Sequence, residues 1–207
     1  MSTSAETTTP PRGADGKAAR RVRVVEAAMN LAAEGGYEAV QMREVADAAN
    51  VSLGTIYRYF GGKDDLLLAG LAGWVHVLRR QIDPDAVGEE SAADRLARVL
   101  GQAAQAAEGA PVLMTALITA LSTTDPEAKQ YKLHIESEVR AMIVSAIGDA
   151  PGVDAVGISR VVGHVWLSAI TRWVGGLAEP GSVEAELRHA VTMLIPGASP
   201  IPGASTG

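Results

Sequence analysis

The chain is predicted to be all-α, a small N-terminal helix-turn-helix unit of three helices followed by a larger helical body, with about nine helices in total. Three observations carry this reading. Apolar residues make up 47% of the 207 positions, enough for a sizeable core. Ala, Val and Leu are abundant and Phe occurs once, while alternating β-branched runs that would mark strands are almost absent. Apolar positions instead recur every three or four residues, punctuated by Gly, Pro, Ser and Asp.

Residues 1–16 contain no apolar run of leader-peptide length and read as a flexible tail. A first helix is expected over Lys17–Glu34, with Val22, Val25, Met29 and Ala32 on one face and Gly35-Gly36 as its stop. Two short helices follow, from Met42 to Ala49 and from Leu53 to Phe60, joined by Asn50-Val51-Ser52. Gly61-Gly62 then separates a unit spanning 17–62 from a body spanning 63–195. The body opens on a helix from Lys63 to about Ile82, striped by Leu67, Leu71, Trp74, Val75 and Leu78 and closed by Pro84. Ser91-Ala92-Ala93-Asp94 has the form of a capping box and opens a fifth helix carrying Leu96, Val99 and Leu100. Pro111 suits the first turn of a sixth, ending near Ser122. Asp125-Pro126 opens a seventh, whose inner face is Ile135, Val139, Met142, Ile143 and Ile147, with Gly148 as its stop. Helices over Val153–Leu177 and Ser182–Ile195 complete the body, and 196–207 read as a disordered Pro/Gly/Ala/Ser tail.

Several function classes lose support at this level. The chain has no Cys, hence no disulfide, thiolate nucleophile or cysteine zinc site, which fits a cytoplasmic protein. The most apolar stretch, Ala110–Leu121, is too short to span a bilayer, so no membrane partner is expected. His134, His164 and His189 lack ligand spacing, and neither a metal nor a cofactor is expected. Glu136 and Glu138 could be offered as an acid–base pair, but a spacing of two puts them on different helix faces. No Ser/His/Asp set or phosphate loop is present, so an enzyme is not expected.

The net charge of −6 divides unevenly: residues 1–63 hold eight Lys/Arg against seven Asp/Glu, and the remainder ten against seventeen. Lys17, Arg20, Arg21, Arg23, Arg43, Arg58 and Lys63 make the front end locally basic, and that local face is what phosphate contact requires. Between Val40 and Lys63 the pattern is that of a helix-turn-helix. Ala46 and Ala49 permit a close helix crossing, Val45, Val51, Ile56 and Phe60 supply buried contacts, and Asn50 tolerates the left-handed turn. Ser52 is placed to cap the next helix, and Gly54 allows close approach of a nucleic-acid backbone. Leu53, Thr55, Tyr57, Arg58 and Tyr59 are left facing outward, although either tyrosine alone is as readily explained by packing against the first helix.

The run GTIYRYF followed by Gly61-Gly62-Lys63 resembles the recognition-helix signature of TetR-type regulators, and the likeness extends over about residues 17–70. That resemblance implies that Thr55, Tyr57 and Tyr59 contact phosphates or base edges of double-stranded operator DNA, that Lys63 bonds phosphate, and that Gln41 and Arg43 meet the backbone. Asn50 stands where the family usually has a turn glycine, and Gly62 where a Ser or Asn cap is common. GGYEAVQMREVADAANVSLGTIYRYF and RVVGHVWLSAITRWV together resemble a narrower subgroup that includes actinobacterial repressors of sterol catabolism.

One recognition helix makes too few base contacts, each worth about 1–3 kcal/mol, to select an operator, so a homodimer is expected. Its interface is assigned to Ile158, Val162, Trp166, Ala169 and Trp173 with Val183, Leu187, Val191 and Leu194, although those stripes could equally face their own core. A small but bulky apolar effector is expected among the body helices, against Trp74, Leu78, Leu100, Met114, Leu117, Leu121, Met142, Ile143 and Trp166. Its binding would tilt the fourth helix and shift the two recognition helices from their spacing of about 34–36 Å. A repressor is the reading this supports; an activator, a DNA-binding protein without a ligand, and a protein-partner module remain alternatives.

Overall fold

The computed structural model describes residues 12–81 and 90–195. Among them are nine helices and no strand: α1 Arg12–Ala39, α2 Met42–Ala48, α3 Leu53–Tyr57, α4 Lys63–Gln81, α5 Ala92–Glu108, α6 Pro111–Leu121, α7 Lys129–Ile147, α8 Ala155–Val174 and α9 Ser182–Leu194. Pro84, the 196–207 tail and most of the expected 1–16 tail lie outside the described residues.

Some helix boundaries differ from expectation, and α8 is shorter than expected at both ends. Helix α1 starts at Arg12, extended past Gly16 from the Lys17-Ala18-Ala19-Arg20-Arg21 run, whose residues favour helix strongly. Its helical dihedrals break at Gly36, where the expected stop falls, with φ 72° and ψ −165°, a conformation open to glycine and costly for other residues, and a short helical stretch follows to Ala39. Its buried stripe is Val24, Ala27, Ala28 and Ala32, while Val22 is 52% exposed. Helix α3 stops at Tyr57, and α7 begins at Lys129 after an Asp125 turn whose carboxylate accepts from the Glu127 N–H at 2.9 Å.

The capping box holds: Ser91 Oγ accepts from the Asp94 N–H at 3.1 Å. Two caps come from other helices and were invisible to periodicity. Arg95 of α5 donates to the Ala146 and Ile147 carbonyls at the end of α7, at 3.1 and 2.7 Å. Glu108, in the last turn of α5, accepts from the Gly181 N–H at 2.9 Å and the Val183 N–H at 3.3 Å, placing a carboxylate at the start of α9.

Buried apolar residues fall into two clusters. The first joins α1, α2 and α3 to α4 and α6 through Val24, Val45, Ile56, Phe60, Leu67 and Leu117, so the N-terminal unit shares a core with the body. The second lies between α5, α7, α8 and α9. It absorbs most of the stripe assigned to a dimer interface: Ile158, Val162, Ala169, Val183, Leu187 and Val191 are all at most 8% exposed within one chain. A helix pair buries its most continuous apolar faces first, and here those faces meet α5 and α7. Only Trp166, Trp173 and Leu194 of that set remain partly accessible.

Candidate nucleic-acid interface and ligand cavity

The turn between α2 and α3 is built as its residues dictate. Asn50 has φ 51°, the one positive φ outside glycine among the described residues, and its short side chain tolerates it. Ser52 Oγ accepts from the Thr55 N–H at 3.2 Å and lies 2.8 Å from the Thr55 hydroxyl, closing the first turn of α3. Ile56 and Phe60 point inward, 0% and 2% exposed, and fix the rotation of the segment. Tyr57 is thereby turned out, 54% exposed, beside exposed Gly54 and Arg58. Gln41 and Arg43 are exposed at the start of α2, as is Arg20 on α1.

Three residues expected to face outward are more constrained. Tyr59 is partly buried against the first cluster, its ring 6.4 Å from that of Phe60 and 5.7 Å from the Lys17 ammonium. Packing against α1 was the competing explanation, and for Tyr59 it prevails. Leu53 and Thr55 are half-buried.

Lys63 is held at the junction between the unit and the body. Its ammonium sits 3.7 Å from the Tyr37 ring centroid, donates to the Tyr37 carbonyl at 3.4 Å and pairs with Glu38 at 3.5 Å. The Tyr37 hydroxyl donates to Asp64 at 2.6 Å. Burial, then the Asp64 bond, push that phenol up to about 12. Lys63 is therefore a fixed cation at the start of α4, positioned by groups that the motif alone does not name.

A cavity of about 420 Å³ opens inside the body between α4, α6, α7 and α8. Trp74, Leu78, Met114, Leu121, Met142 and Trp166 line it, as expected from sequence. Leu100, Leu117 and Ile143 do not: they are at most 1% exposed and serve as core. The walls are apolar, but Lys132, Glu136, Arg140, Arg160 and His164 also face the cavity. The lining is thus mixed, although few ionisable residues interrupt these helices in sequence. Outside the cavity, Glu138 ties α7 to α4, accepting from Arg79 at 3.2 Å and contacting His76 Nδ1 at 3.2 Å. Burial raises the Glu138 carboxyl, and its bonds to His76 and Arg79 outweigh that and hold it below the usual range. Among the described residues no cluster of His, Cys, Asp and Glu suits a metal ion, and no single helix is long and apolar enough to cross a membrane.

Residues 24–69 match the family of bacterial regulatory proteins of the tetR type, and residues 89–194 match the tetracyclin repressor-like C-terminal domain. The chain is 35% identical over 184 residues to the transcriptional repressor KstR of Mycobacterium tuberculosis, covering 88% of this chain and 84% of that protein. It is 32% identical to KstR of Rhodococcus jostii over 85% of this chain and 82% of that one. A TetR transcriptional regulator from Rhodococcus sp. RHA1 superposes with a TM-score of 0.76 at 29% identity, over 88% of this chain and 98% of that one. The fold is also that of the Thermus thermophilus repressor FadR, solved with lauroyl-CoA, at a TM-score of 0.68 and 19% identity, over 90% of this chain and 99% of that one. The Asn50 turn, the Ser52 cap and these matches agree: the chain belongs to the TetR family of helix-turn-helix transcriptional regulators.

Proposed function

We propose that the protein represses transcription by binding an inverted-repeat operator as a homodimer, and that a small amphipathic effector releases it. The exposed Tyr57 and Arg58 on a capped, rotationally fixed α3 carry this reading. Thr55, Tyr57, Arg58, Lys63 and the Gln41–Arg43 corner form the DNA contact, with Tyr59 bracing Lys17 from behind. Repression follows the related KstR proteins, which are repressors.

The second copy meets the faces of α8 and α9 turned away from their own core, where Val161 is 44% and Met193 75% exposed, and where Arg172 and Glu186 join the two helices at 3.8 Å. The effector fills the 420 Å³ cavity with an acyl or steroid body and sets an acidic or acyl-CoA-like head toward Arg140 and Arg160. That α4 supplies both the Trp74 wall and Lys63 supports coupling between cavity and DNA contact. The effector must prefer the DNA-incompetent form, because equal affinity for both would shift nothing.

Intrinsic tryptophan fluorescence tests this without knowledge of the operator, since Trp74 and Trp166 line the cavity. Titration with lauric acid or a steroid carboxylate should change the emission saturably, and Met114→Trp should block the change by filling the space. Unchanged emission at saturating concentrations of both ligand classes would remove the effector from this reading and leave the DNA contact standing.

A further inference from the structure

We propose that Glu38 is an internal competitor for the phosphate contact at Lys63: its carboxylate occupies the ammonium in the free protein, yields it to DNA, and so sets the strength of that contact. The inference rests on the reading of Lys63 as a phosphate contact. Three groups touch the Lys63 ammonium, and they are held very differently. The Tyr37 ring, with its centroid at 3.7 Å, and the Tyr37 carbonyl, at 3.4 Å, belong to an anchored residue. Tyr37 packs against the first cluster, and its hydroxyl donates to Asp64 at 2.6 Å. The third group, Glu38 Oε2, stands at 3.5 Å on a side chain that is 90% exposed. Among the described residues Lys63 is its sole ion-pair partner.

A phosphate oxygen seeks the same charge and the same N–H donors that Glu38 takes, and an ion pair this exposed is weak enough to be exchanged. Tyr37 keeps its hold through the exchange, because its ring and carbonyl are fixed by the core and by Asp64; only the carboxylate has to leave. Of the cations assigned to the DNA face, Arg20, Arg43 and Arg58 form no ion pair among the described residues, so Lys63 is the one position where an acid stands between protein and phosphate. Phosphate contacts carry no base information. Glu38 therefore lowers affinity for the operator and for unrelated duplex by the same factor, restraining attachment to DNA at large without altering what α3 reads.

A double-mutant cycle on a labelled random-sequence duplex at low ionic strength, read by fluorescence anisotropy, tests this without knowledge of the operator. Glu38→Gln should tighten binding by about twofold to fivefold and leave the urea midpoint unchanged, as befits so exposed a side chain. Lys63→Met, which keeps the aliphatic stem on Tyr37, should weaken binding. Adding Glu38→Gln to Lys63→Met should then change nothing, because the carboxylate acts only through the ammonium. Unchanged binding in Glu38→Gln, or the same tightening with and without Lys63, would overturn the proposal while the Lys63 contact stands; the second result would mark Glu38 as a general repeller of DNA. Lys63→Met binding as tightly as the parent would overturn the phosphate contact and the proposal together.

Discussion

The N-terminal unit and the body are made of the same kind of element but encode their side chains differently. In residues 40–63 each position is constrained by its immediate neighbours: a turn needs Asn50, a cap needs Ser52, and burial of Ile56 and Phe60 forces Tyr57 outward. In the body, apolar residues occur on nearly every face, and whether one is core or cavity wall depends on which helix lies opposite. Leu100 and Trp74 look alike in a helical pattern, yet the first is sealed between α5, α7, α8 and α9 and the second faces open space. Local grammar fixes the chemistry of the helix-turn-helix surface, whereas tertiary packing alone distributes the roles in the body.

Substitutions can break this contrast, and the largest effects should come from the shared core. Phe60→Ala is expected to cost about 3–5 kcal/mol in urea unfolding, because Phe60 closes the cluster that joins the unit to α4 and α6. Leu100→Ala should cost about 2–5 kcal/mol and leave ligand-induced fluorescence in place. Trp74→Ala should do the reverse, losing the fluorescence response at a smaller cost in stability. If both variants behaved alike, the division between core and cavity wall would be wrong.

Smaller effects sharpen the other side of the comparison. Tyr57→Ala should weaken operator binding about tenfold, a loss of about 1.4 kcal/mol, while changing stability by less than about 0.5 kcal/mol, since the ring is exposed. Asn50→Val should cost about 1–2 kcal/mol of stability through its left-handed backbone, and Asn50→Gly should not. The smallest expected effect is a pH dependence. The Glu138 carboxyl is lowered in the folded chain, so its contribution is present above the unfolded carboxyl range and is lost as pH falls through the lowered folded value. Unfolding midpoints of the parent should therefore fall more steeply than those of Glu138→Gln as acid is added.

Legibility of the sequence follows the same divide. The all-α class, the nine helices found among the described residues and the α2–turn–α3 geometry could be read directly, because caps, glycines and helical spacing act over a few residues. The six named residues that line the cavity are large side chains on α4, α6, α7 and α8, the helices that enclose the space. Leu100, Leu117, Ile143 and most of the α8 and α9 stripes turned out to be core of their own chain, because an apolar face does not say whether its own chain or a second one covers it. Lys63's partners Tyr37 and Glu38 and the Glu108 cap on α9 arise from contacts between residues far apart in sequence, which periodicity cannot report.

Selection of bound sequences from a random double-stranded DNA library by the full-length protein tests the central claim most directly. The account predicts enrichment of an inverted repeat with half-site centres about 10–10.5 base pairs apart, or a multiple of that, and loss of the enrichment in the Thr55→Ala, Tyr57→Ala double variant. Recovery of no preferred sequence, or of the same sequence by the double variant, would contradict it.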